Sequence, residues 1–349
     1  MNLTQAAYST LIPIALVLAH RDLYAVVYWN VVADLALTLA LVVFIGAWYG
    51  FGAPDWRRLA GFLKFGIPLL PAGYAMWVLN SSDRVFLTHY RTLHDVGIYS
   101  VAYNLGYVLI ALIANPIWVM FPGQAAALYN NHRFDELRHL FDAATKATLL
   151  LLVPATVGLA VLARPIMLML ATEEFAHAAI LAPVVTVGYA CATFGAYFDL
   201  HLALAGRQIW TTVIYVLAAV VNLAANWILI PHYGIFGAAL STVLAFALAM
   251  TLSWIMASQS FVLRISPRFL MRVTAASLVM AVVVACLPGR VGTAGLVIRA
   301  IVGVIVFGSS VLALRVFDPV ELTAAFRLVG LSAFSRSRMG RFVIGGQVH

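Results

Sequence analysis

Charge is scarce in this chain. Lys, Arg, Asp and Glu make up 10% of its 349 residues, while 64% are apolar. Soluble domains carry about 25% charged residues, so this chain has too little polar surface to meet water. Cysteine is almost absent. Cys191 and Cys286 both lie in apolar stretches and give neither a metal-ligand spacing nor a disulfide framework. The chain lacks a G-x-x-x-x-G-K-[ST] loop, which argues against direct use of ATP. The net charge of +8 comes without a basic stripe interleaved with aromatics, so nucleic acid is not an expected partner. His20, His89, His94, His132, His139 and His232 fall in loops or at interfaces and form no metal-spaced set. No metal and no cofactor are expected, and the N-terminus shows no signal peptide.

What the chain has instead is apolar length. Ten stretches fill it, at about 6–19, 24–48, 62–80, 97–121, 146–163, 177–199, 210–231, 236–257, 268–287 and 294–316. Most run about 20 residues, the length at which a helix crosses the hydrocarbon of a bilayer. A membrane β-barrel would alternate in polarity over segments of about 10 residues, and runs such as LLLLVPATVGLAVLA (149–163) do not alternate. The expected fold is all-α, a polytopic transmembrane helical bundle of about ten spans.

Loop charges orient the spans. One set of alternate loops holds Arg57, Arg58 and Lys64, then Arg133, Arg138 and Lys146, then Arg207, then Arg264, Arg268 and Arg272. The opposite loops hold only Arg21, Arg84, Arg91, Arg164 and Arg290. The positive-inside rule places the richer set in the cytoplasm and, with an even number of spans, both termini there too. Two segments read as amphipathic rather than spanning. HRFDELRHLFDAATK (132–146) spaces Phe134, Leu137, Phe141 and Ala144 at helical intervals and suits the cytoplasmic surface. Asp318, Pro319 and Glu321 open a second helix in a basic tail, fitted to an anionic leaflet.

Two regions carry polar marks within the apolar background. The first reads LKFGIPLLP, then a span, then SSDR (81–84), then DVGIYSVA (95–102). Pro68 and Pro71 fall inside the apolar stretch, where each would kink the helix. Asp83 and Arg84 mark the expected outer end of that span. The second region is VVNLAANWILIPHYGIFGAALST (220–242). Asn222 and Asn226 are four apart and share one face of a helix, and amides in hydrocarbon face another helix or a wet cavity.

In the order and spacing of K-F-G-I-P-L-L-P, S-D-R, V-G-I-Y-S-x-A and N-x-x-x-N-x-x-L-I-P-x-x-G-x-x-G-A-A, the sequence resembles the polysaccharide-export flippases. These belong to the multidrug/oligosaccharidyl-lipid/polysaccharide (MOP) superfamily, and the resemblance covers about 50–320. It implies two bundles of six spans facing a central cavity, with two extra C-terminal spans. Residues 1–50 would then be the end of a first bundle, represented by two spans where six are expected. Residues 51–258 would be the second six-helix bundle, 259–317 the extra pair, and 318–349 the basic cytoplasmic tail with its peripheral helix.

The resemblance also implies an anionic substrate, a polyprenyl-pyrophosphate-linked sugar, which cations facing a cavity would bind. By position the candidates for substrate binding or gating are Lys64, Arg84 with Asp83, Arg91, Arg272 and Arg299. Lys64 and Arg272 equally suit snorkelling at helix ends, and Asp83–Arg84 an interfacial ion pair. Asn222 and Asn226 either line the cavity or join helices. Asp34, mid-span, is a candidate for ion coupling, alongside a protonated structural role or pairing with another span.

The expected function is flipping of a lipid-linked oligosaccharide during biosynthesis of a cell-surface polysaccharide such as O-antigen, capsule or exopolysaccharide. The setting is the inner (plasma) membrane. Partners would be membrane lipid, the polyprenyl-linked sugar, and a polysaccharide polymerase and chain-length regulator. No covalent chemistry and no catalytic residue is expected. Two other readings stand beside it. A membrane polymerase or glycosyltransferase needs a well-set acidic pair, and the outer pair Glu173–Glu174 points apart on a helix. A multidrug antiporter needs acidic residues in the first bundle.

Overall fold

The computed structural model describes residues 23–50, 55–67, 70–170, 173–258, 266–287 and 292–316. These are helical apart from turns and connections. Among them, seven helices are long and apolar enough to cross a membrane. The chain divides into two compact units, residues 1–64 and 65–349.

In the first unit, α1 (Leu23–Tyr49) is apolar all round, and no residue of its membrane-length segment is buried. Asp34 lies on it, exposed, and its carbonyl accepts a bond from Thr38 Oγ1 at 2.7 Å. α2 (Trp56–Gly66) follows. Asp55 precedes it and accepts from the Arg57 backbone N–H at 3.1 Å, the bond an N-cap side chain supplies. The expected span at 6–19 lies outside the described residues.

The second unit contains α3 (Leu70–Tyr90), α4 (Leu93–Asn130), α5 (Phe134–Leu170) and the short α6 (Glu173–Ala176). α7 (Leu181–Leu204), α8 (Gln208–Ser258), α9 (Pro267–Cys286) and α10 (Thr293–Ala313) complete it. α2 ends at Gly66 and α3 begins at Leu70, with Pro71 in its first turn, where a proline's missing N–H has no intrahelical partner to lose. Pro68 lies outside the described residues. The later start moves the helix toward the C-terminus. Asp83 and Arg84, expected at the end of a span, therefore stand inside α3.

α4 starts at a capping box, in which Thr92 Oγ1 accepts from Asp95 N and Asp95 accepts from Thr92 N, each at 3.2 Å. α5 absorbs the segment 132–146 expected at the membrane surface. Neither Gly nor Pro interrupts the run before Pro154, and Leu137 and Phe141 are buried against Phe121 and Tyr197.

The 51 residues of α8 would measure about 76 Å if straight. They fold back instead. Gly234 has φ 58 and ψ −132, a backbone open to glycine alone. Ser241 Oγ then donates to Asn226 Oδ1, 15 residues earlier, which only antiparallel arms allow. α8 is therefore a hairpin, and it supplies both spans expected at 210–231 and 236–257. Arg91, just beyond α3, donates through Nη2 to the carbonyls of Pro231 at 3.0 Å and Ile230 at 3.4 Å. Gly237 lets the second arm pass the Leu229 carbonyl, whose oxygen lies inside contact distance of any Cβ placed there.

The hairpin packs against α3 on one side and α7 on the other, and α7 also meets α4 and α5. α9 and α10 pack together and join the bundle through α5, with Leu149, Phe269, Val273 and Val311 at the joint. The tail at 318–349 lies outside the described residues.

Gly237→Ala is expected to cost about 1–3 kcal/mol through overpacking at the hairpin. The measurement is the thermal unfolding midpoint in detergent, with Gly123→Ala as control because nothing lies within 4 Å of that site. Equal midpoints for the two variants would remove the close approach from the account.

Candidate functional site

A polar seam runs through the middle of α3 and faces three helices. Leu79, Ser82, Asp83 and Leu87 form the buried stripe of α3, at the spacing that one helix face requires. Ser82 turns to the hairpin. Its Oγ donates to Asn222 Oδ1 at 2.8 Å and accepts from Asn226 Nδ2 at 3.1 Å. Asn226 Nδ2 also reaches Asn222 Oδ1 at 3.1 Å, and its Oδ1 accepts from Ser241 on the second arm. Both asparagines are fully buried. This chain of side chains joins α3 to both arms.

Asp83 is fully buried and its carboxylate is engaged on both oxygens. Oδ1 accepts from the Arg84 backbone N–H at 2.7 Å, and Oδ2 accepts from the hydroxyl of Tyr99 on α4. Arg84 differs. Its guanidinium lies 3.6 Å from Asp83 Oδ1, with 29% of the side chain exposed against none of Asp83. It donates through Nη1 to Asn80 O at 2.7 Å and through Nε to Ser100 Oγ at 3.3 Å. It stacks 4.4 Å from the centroid of the Tyr103 ring and 5.9 Å from that of Tyr99. Such cation–π contacts contribute about 0.5–2 kcal/mol each. Asn80 Oδ1 accepts from Tyr189 of α7, and the Tyr103 hydroxyl has one proton to give either to the Tyr189 oxygen or, at 3.2 Å, to Asn80 Oδ1.

The result is a cation fixed in place with part of its surface open. A guanidinium carries more N–H donors than these contacts use. Held by the ring, the Asn80 carbonyl and the buried carboxylate, it is set to receive an external acceptor such as a phosphate with little further ordering.

The other candidates lie elsewhere. Arg91 serves the hairpin turn. Arg272 of α9 donates to Arg315 O at 2.6 Å and so ties α9 to the end of α10. Arg299 of α10 donates to Leu287 O at 3.2 Å, just after α9. Lys64 is exposed on α2 and Asp34 on α1. The sequence reading missed Asn80, Tyr99, Tyr103, Tyr189 and Ser241. A signal for some was present: Asn80 and Arg84, like Tyr99 and Tyr103, are four apart, which puts each pair on one helix face. Tyr189 and Ser241 are brought in by tertiary packing alone. Among the described residues no cluster of His, Cys, Asp or Glu could hold a metal ion.

Residues 1–180 match the sequence model of a family described as polysaccharide biosynthesis protein. No curated protein matches the sequence. Among solved structures, the fold is similar to that of the lipid II flippase MurJ in an inward closed conformation. The TM-score is 0.69 at 13% identity, with 93% of this chain and 67% of that chain covered.

Asn226→Ala is expected to destabilise the bundle by about 1–3 kcal/mol, because it removes the buried side-chain bridge from Ser82 to the second arm. A denaturation series in detergent reads the change. A loss no larger than that of an exposed substitution such as Thr251→Ala would show that the seam does not hold the hairpin.

Proposed function

The chain belongs to the polysaccharide biosynthesis protein family, and on that premise we propose that it flips a polyprenyl-pyrophosphate-linked oligosaccharide across the membrane during biosynthesis of a cell-surface polysaccharide. The observation that carries the reading is Arg84. It is a partly exposed guanidinium on α3, backed by a buried carboxylate and steadied by Tyr103. A lone charge in hydrocarbon costs several kcal/mol, and this one is held by residues of α3 and α4 with donors to spare. A pyrophosphate meeting it would exchange water for a fixed guanidinium, while the polyprenyl chain stays in lipid.

The fold it shares with a lipid II flippase supports the same reading. The process is translocation without covalent chemistry, in the inner membrane, with both termini in the cytoplasm. The sugar-linked lipid is the substrate, and a polysaccharide polymerase and a chain-length regulator are the functional neighbours. In this reading Asp83 fixes Arg84. Lys64 and Asp34 remain candidates for anion contact and ion coupling respectively, and Arg272 and Arg299 act within the C-terminal pair.

Arg84→Ala, expressed in cells that depend on the protein, is expected to abolish or severely reduce surface polysaccharide at normal protein levels. Arg84→Lys keeps a charge but loses the planar fork, and is expected to retain part of the output. Wild-type polysaccharide from Arg84→Ala would remove Arg84 from the mechanism.

A further inference from the structure

Asp199 lies outside the seam, and the reading above makes no use of it. It stands on α7, five residues from the helix end. Its Oδ1 accepts from Ser253 Oγ at 2.7 Å and its Oδ2 from Tyr215 OH at 3.0 Å. Tyr215 is on the first arm of the hairpin and Ser253 on the second, nineteen residues to either side of Gly234. One carboxyl group therefore clasps both arms to α7. Thr211, one turn before Tyr215, adds a third hydroxyl beside the carboxylate.

The charged and titratable groups around the clasp are few. The second arm, from Ile235 to Ser258, carries none, and the first presents Tyr215. On α7, Tyr197 bonds Thr148 and His201 stands against Phe141. From α5, Lys146 lies over the Phe269 ring and Asp142 is half-buried. From α4, Tyr129 stands against Phe134. Arg207, between α7 and the hairpin, lies near His201.

Asp199 is half-buried among membrane helices and is met by the neutral hydroxyls of Tyr215 and Ser253; a carboxylate so placed is poorly compensated, and such groups neutralise. The hydroxyls accept as readily as they donate, so the same contacts fit a protonated carboxyl, with Ser253 turned from donor to acceptor. A metal ion would have to part oxygens that already touch. We propose that Asp199 is a reversible proton-binding site and that its protonated form closes the joint between α7 and the hairpin. Losing the proton leaves a charge that draws water in and loosens the joint.

The test uses the full chain in lipid nanodiscs. Infrared difference spectra from about pH 4 to about pH 9 should show a carboxylic-acid band that fades as pH rises and is missing in Asp199→Asn. Asp199→Glu should restore a titrating band at a shifted midpoint. Amide hydrogen exchange over residues 208–220, corrected for its intrinsic pH dependence, should rise several-fold as the wild-type band fades. In Asp199→Asn, the neutral isostere, it should stay slow throughout. A titrating band that persists unchanged in Asp199→Asn, or exchange that ignores the band, overturns the proposal. A band removed by sodium at fixed pH rather than by pH would make the ligand a metal ion and overturn it as well.

Discussion

A reversal between two helices frees carbonyls from their helical partners, and each needs another donor. The reversal at Pro231–Gly234 is where this chain meets that constraint. Arg91 answers it from the end of α3, by donating to the carbonyls of Ile230 and Pro231. The rest of the second unit follows from that solution. Once the arms run antiparallel from Gly234, Asn226 comes level with Ser241 and Tyr215 with Ser253. The hairpin then carries polar groups at two heights and meets α3 at one and α7 at the other.

α3 tolerates polar residues at its centre because almost every one is matched. Ser82 is both donor and acceptor within the asparagine pair. Asp83 spends its oxygens on a backbone N–H and on Tyr99. Removing one partner of such a set strands a buried polar group at about 1–3 kcal/mol, so the set is kept or lost as a whole. Arg84 is the exception, since its fixed guanidinium retains open surface. That contrast between a closed carboxylate and an adjacent half-open cation separates the part of the seam that holds helices together from the part able to meet a ligand.

Composition made the solvent and the fold class legible, and the order of small apolar motifs pointed to the family. The turn of the hairpin was legible at Pro231 and Gly234, and the pairing of Asn222 with Asn226 followed from their spacing. What escaped was register. Pro71 reads equally well as a kink inside a helix or as the opening of one, and only the second places Asp83 and Arg84 in mid-helix. The support behind the Tyr103 ring that carries Arg84 escaped because Tyr189 reaches Tyr103 from 86 residues away along the chain, through the packing of α7 on α4. Asp199 escaped for the same reason: a single carboxylate in an apolar run shows its meaning only when Tyr215 and Ser253 are seen to converge on it.

The two heights differ in chemistry, and that difference assigns them different mechanical roles. At the level of α3 the hairpin is held by amides and a serine pair, groups whose charge does not change between pH 4 and 9, about the range of interest here. At the level of α7 it is held by a carboxyl group clasped by hydroxyls. A change of protonation therefore acts on one joint and leaves the other intact. With the turn fixed by Arg91 and the upper joint fixed by Ser82, loosening at Asp199 lets the far ends of the arms move while the near ends stay on α3.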